Sequence, residues 1–164
     1  MKLATLIISL IIGINCAGQN YTRDAGLRLG TLPGFTYRQN LGEVEAIEAQ
    51  TLFGKEGLRF RVLKQFFKPA LLSLSDNIYF CYGYGAHIGI SRYSSYRYLT
   101  KNYLLDRKTF GPLIGLDAYL GLEYNIREYP IIIGINVIPF FEFSTHRFFY
   151  IFMDDTSISI KYKF

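Results

Sequence analysis

Ser157-Ile158-Ser159-Ile160-Lys161-Tyr162-Lys163-Phe164 carries the chain to its last residue in strict alternation. Serine and lysine hold the odd positions; Ile, Tyr and Phe hold the even ones. Successive side chains of an extended strand point to opposite faces, so this segment has one oily face and one wet face. Terminal segments fray unless a sheet ties them down. A last strand of this kind is expected to close a sheet.

The same period of two recurs upstream. Eight strands are expected: Asp24–Gly30, Phe35–Leu41, Glu43–Phe53, Leu58–Phe66, Asn77–Ile90, Gly115–Tyr124, Ile131–Glu142 and Ser157–Phe164. Asn77–Ile90 is the clearest. Ile78, Phe80, Tyr82, Tyr84, Ala86, Ile88 and Ile90 share one face, and Tyr79, Cys81, Gly83, Gly85, His87 and Gly89 share the other. In the third segment the phase slips near Ala46-Ile47, which fits a β-bulge. Leu41–Phe53 is also the one stretch with helix-forming propensity.

One face of these strands is large and apolar, while the other mixes glycine with full charges. In a soluble barrel the charged face looks outward, and Gly83, Gly85 and Gly89 then lie on the surface, where they only weaken a strand. A barrel in lipid explains both faces at once: oily side chains meet hydrocarbon, and small or paired polar ones fill a narrow lumen. The clear strands run nine to eleven residues, the length a tilted spanning strand needs. Connections alternate in length as well. Ser91–Thr109 and Phe143–Asp155 are long and fall on one side; the turns around Gly42 and at Asn125–Pro130 are short and fall on the other. The expected fold is all-β, a closed eight-stranded antiparallel up-and-down transmembrane β-barrel.

The 164 residues suit a single domain. Half are hydrophobic, with 14 Tyr, 14 Phe and no Trp, which suits aromatic girdles at two interfaces. The formal charge of +5 is spread singly, unlike the clustered basic face of a nucleic-acid binder. Lys2, the apolar run Leu3–Ile14 and the small residues Cys16-Ala17-Gly18 form a three-part export signal. Residues 1–18 are therefore expected to be a cleaved signal peptide and 19–164 the barrel domain. The residues before Cys16, Gly13-Ile14-Asn15, lack the pattern of a lipoprotein cleavage site. Cleavage leaves Cys81 alone, without an intrachain disulfide partner.

The segments Ala25-Gly26-Leu27-Arg28-Leu29-Gly30, Tyr82-Gly83-Tyr84-Gly85-Ala86-His87-Ile88-Gly89 and Gly115-Leu116-Asp117-Ala118-Tyr119-Leu120-Gly121-Leu122-Glu123-Tyr124 resemble the small eight-stranded bacterial outer-membrane β-barrel proteins of the OmpX/OmpA type. The resemblance implies a monomer in the cell outer membrane, in contact with its lipids. It also implies recognition of Tyr162 and Phe164 by the barrel-assembly machinery. The first two outer loops, near Pro33 and Lys55, are shorter than in the better-known members.

Within the lumen, Asp117, Glu123, Glu45 and Glu142 are expected to pair with Arg28, Arg38, Arg59, Arg61, Lys161 and Lys163. Enclosed charge costs several kcal/mol unless paired, so a side-chain plug is expected in place of a conducting pore. His87 is expected to be a hydrogen-bonded interior histidine and Cys81 an inert small residue. Ser144, His146, Asp154 and Asp155 compose a Ser/His/Asp set by neighbourhood alone, so a lipid-modifying enzyme with a rim site near His146 is the alternative function. A soluble lipocalin-like ligand-binding barrel is the other. The Ser91–Thr109 connection, with Tyr93, Tyr96, Tyr98 and Tyr103 beside Arg92, Arg97, Lys101 and Arg107, is the candidate for contact with a surface ligand. The expected role is structural or surface-interacting, without catalysis, cofactor, metal or nucleic acid.

Overall fold

A computed structural model describes residues 22–54, 57–69, 77–98, 101–144 and 149–164. Side chains at 69, 93–98 and 101–109 lie outside that description, as do the signal segment, Cys16 and His146. The described residues form ten strands and no helix: β1 Arg23–Gly30, β2 Gly34–Asn40, β3 Glu45–Gly54, β4 Gly57–Pro69, β5 Ile78–Tyr98, β6 Lys101–Asn125, β7 Ile131–Val137, β8 Phe140–Ser144, β9 Tyr150–Phe152 and β10 Thr156–Lys163. All pairings are antiparallel. β1 through β6 pair in chain order, β6 pairs with β7 and β8, β9 pairs with β8, and β10 joins β7 to β1. The sheet closes on itself. β7 with β8 makes the seventh wall strand and β9 with β10 the eighth, giving a closed eight-stranded barrel.

The seventh strand is interrupted at Ile138-Pro139, where a continuous Ile131–Glu142 strand was expected. Proline has no N–H to give a ladder, so the break follows from chemistry. The eighth strand answers it. Val137 pairs with Thr156 and Phe140 with Phe152, so three steps on one strand face four on the other. The extra residue is a bulge at Met153-Asp154-Asp155, and the Ile138 N–H donates to the Asp155 carbonyl across it, at 3.0 Å.

No bulge occurs at Ala46-Ile47. β3 pairs in unbroken register with β2 and β4. Ala46 and Leu52 face inward although they are apolar, and that imitates a change of phase. The helical propensity of Leu41–Phe53 is overridden by two flanking strands that need partners for their N–H and C=O groups. Glu45 therefore points outward, where it pairs with Lys64 at 3.2 Å and half exposed, and not into the lumen as expected.

Ser91–Thr109 is likewise no loop. β5 and β6 continue as a two-stranded ribbon to the pair Tyr98↔Lys101, with an irregularity between Tyr93 and Ser95. The wall around it stops sooner. β4 leaves β5 at Gly57↔Ser91, and β8 leaves β6 at Leu113↔Ser144. The ribbon stands at one end of the barrel, here the mouth. Arg23, Asn40, Asn125 and Phe164 mark the other, the base.

Burial is inverted relative to a water-soluble fold. Arg28 is 0% exposed, whereas its neighbours Leu27 and Leu29 are 49% and 58% exposed. The same contrast runs round the wall, from Phe35 and Val62 to Ile88, Ile114, Leu120, Ile135 and Ile160, all exposed.

Candidate functional site

The interior holds an ionic network built from inward-facing positions of eight strands, β1 to β6, β8 and β10. At the base, Arg38 on β2 reaches Asp24 on β1 through Nε at 2.7 Å and Glu123 on β6 through Nη1 at 2.7 and 2.8 Å. Lys161 on β10 joins the same Glu123 at 3.0 Å and Glu48 on β3 at 2.6 Å. Gln65 donates to Glu48 at 3.1 Å, and Gln50 donates to it at 2.6 Å. These side chains are all buried.

Towards the mouth a second group surrounds Arg61 on β4. Its Nη1 lies 3.0 Å from Asp155, and its Nε lies 2.8 Å from Asp117 in an ionic contact without an aligned hydrogen bond. Arg28 bonds the other Asp155 oxygen at 2.8 Å and the Leu32 carbonyl. His87 stands between two carboxylates, Nδ1 at 2.9 Å from Asp117 and Nε2 at 3.4 Å from Glu142. The Nδ1 contact is a hydrogen bond, whereas Nε2 lacks an aligned partner. Arg59 holds Glu142 at 2.9 Å. Gln50 joins the two groups, since it also accepts from Arg61 Nη1 at 3.3 Å.

Buried charge is tolerated only when paired and hydrogen-bonded. Each cation named here meets at least one carboxylate. The glycines of the wet face make room. A Cβ at Gly115 falls 2.3 Å from the His87 ring, and one at Gly85 falls 2.8 Å from the Leu63 side chain.

Two apolar clusters complete the filling. Leu63, Cys81, Tyr119 and Ile138 pack together, with Phe67 and Tyr79 against them. Leu32, Leu52 and Phe140 pack beneath Tyr150 and Phe152 at the mouth. Phe140 also takes the edge of His87, with ring centroids 5.2 Å apart, and lies under the Arg59 and Arg61 guanidinia at 5.8 Å. Cys81 is enclosed on all sides.

The expected lumen residues Asp117, Glu123, Glu142, Arg28, Arg38, Arg59, Arg61 and Lys161 are brought together. Lys163 is half-buried at the base rim, opposite Asp24 in register. Asp24, Glu48 and Asp155 belong to the network and were not among the expected carboxylates. Asp155, placed by sequence neighbourhood in a Ser/His/Asp set, instead faces inward onto Arg28 and Arg61. Ser144 ends β8 at the mouth, and His146 lies outside the described residues.

No family model, no curated protein and no solved structure matches this chain. What the interior can do chemically rests on its own geometry. Each cation of the interior named above is engaged with a carboxylate.

Proposed function

We propose that this chain is an outer-membrane β-barrel protein of structural or surface-interacting role, with a plugged lumen and no catalytic step. The observation that carries the reading is the inverted burial: ionised side chains enclosed on the axis, and Leu, Ile, Val and Phe exposed on every wall strand. Soluble monomers rarely expose contiguous apolar patches beyond a few hundred Å². Lipid is the solvent in which such a wall is stable, because every backbone polar group of a closed barrel is satisfied within the sheet.

The belt has graded chemistry. Leu27, Leu29, Ile88, Leu116, Leu120, Ile135 and Ile158 make an aliphatic middle. Tyr124, Tyr129, Tyr162 and Phe164 lie towards the base, and Phe53, Phe110, Phe141, Phe143 and Phe149 towards the mouth. Aromatic girdles of this kind mark the two interfaces of a spanning barrel. The base then faces the periplasm, with Tyr162 and Phe164 offered to the assembly machinery, and the mouth faces outward. The β5–β6 ribbon is the surface for a ligand, since its two edges beyond Ser91 and Leu113 have no strand neighbour among the described residues.

Membrane fractionation with a folding-state gel shift tests the reading. The chain is expected in the outer-membrane fraction, migrating differently before and after boiling. Recovery in the soluble fraction without a shift overturns it.

A further inference from the structure

On the outer surface near the base, β4 and β5 carry a cluster that the plugged-barrel reading does not use. Phe66 and Tyr82 are register partners with stacked rings, centroids 5.5 Å apart, and Phe80 stacks on Tyr82 at 6.1 Å. Tyr84 flanks Phe66 at 6.3 Å. Two ammonium groups lie over this platform: Lys64 Nζ is 5.2 Å from the Phe66 centroid, and Lys68 Nζ is 5.4 Å from that of Tyr82. Lys64 shares its charge with Glu45. Lys68 is exposed and has no carboxylate among the described residues within ion-pair distance. Among the described residues the cluster therefore keeps one excess positive charge.

We infer that this cluster is a binding site for the anionic headgroup of a phospholipid in the leaflet on the base side. The inference rests on the membrane reading and adds a ligand to it. Charge complementarity selects the ligand. An ammonium donates to phosphate oxygens, while the stacked rings beneath accept the upper glycerol and acyl carbons. The tyrosines of the cluster, Tyr82 and Tyr84, suit the same ligand. A phenol can hydrogen-bond to glycerol or phosphate, and a phenyl ring cannot.

The chain has no Trp, so a single reporter reads the site without background. Ile78→Trp places it on the same face of β5, two residues before Phe80. The full chain carrying it is folded into phosphatidylcholine vesicles containing a minor fraction of brominated phosphatidylglycerol, or the same fraction of brominated phosphatidylcholine. The expected result is enrichment of the anionic lipid at the reporter of about fivefold, the effect of one basic residue at such a surface. Lys68→Gln removes the enrichment, Glu45→Gln raises it by freeing Lys64, and high salt lowers it. Equal quenching by both lipids in a folded barrel overturns the site and leaves the membrane reading standing. Failure of the chain to enter vesicles overturns both.

Discussion

Asp155 Oδ2 lies 3.0 Å from Arg61 Nη1, although the two residues sit on wall strands that are not neighbours. The bulge at Met153-Asp154-Asp155 turns this carboxylate inward, and its other oxygen holds Arg28 at 2.8 Å. Arg61 keeps a second carboxylate, Asp117, whereas the only carboxylate against Arg28 among the described residues is Asp155. Asp155 is thus the tie between the last strand and the ionic interior.

Asp155→Ala should destabilise the folded barrel by about 3–5 kcal/mol, because it strands a buried guanidinium. In an Arg28→Leu background the cost should shrink, since no charge at that position remains to be orphaned. Urea unfolding from lipid vesicles measures both. Equal costs in the two backgrounds would show that Asp155 does not act through Arg28.

Gly115→Ala should cost about 1–3 kcal/mol, as overpacking does. The new methyl meets the His87 ring at 2.3 Å and the Phe141 carbonyl oxygen at 2.3 Å. His87→Ala should restore only part of the loss, because the carbonyl stays. Full restoration would place the strain entirely in the imidazole.

Leu120→Arg puts a cation on the exposed middle of the wall, between the register partners Tyr82 and Val137. If that wall meets hydrocarbon, folding into vesicles weakens by about 2–4 kcal/mol. An unchanged folding equilibrium would reverse the assignment of faces.

Replacing residues 93–109 by Asn-Gly should leave the barrel folded, since the wall pairings end at Ser91 and Leu113. The same variant should lose whatever surface contact the ribbon makes. A variant that no longer folds would show the ribbon to be part of the barrel's stability.

Much of this was legible in the chain because alternation assigns faces without any knowledge of pairing. Arg28, Arg61, Asp117, Glu123 and Lys161 each sit between apolar neighbours, and each faces the lumen. Glu48 was obscured because inward Ala46 and Leu52 blur the contrast between the faces of β3. Asp155 was hidden by its bulge, which changes parity where no residue type announces it. The ribbon was illegible for another reason. Ser91–Thr109 mixes Tyr and Leu with Ser, Arg and Lys without a period of two, so it shows no oily stripe, yet its backbone ladder needs none. The platform of Lys64, Phe66, Lys68, Tyr82 and Tyr84 depends on the β4–β5 register, which the sequence does not print.

The central claim is that the oily wall faces hydrocarbon while the ions stay on the axis. The direct measurement is refolding of residues 19–164 from urea, with and without lipid vesicles, followed by heat-modifiable gel migration and a cooperative unfolding curve. A cooperative, heat-modifiable barrel only in the presence of vesicles is the predicted result. A compact, cooperatively unfolding monomer in buffer free of lipid and detergent would contradict it.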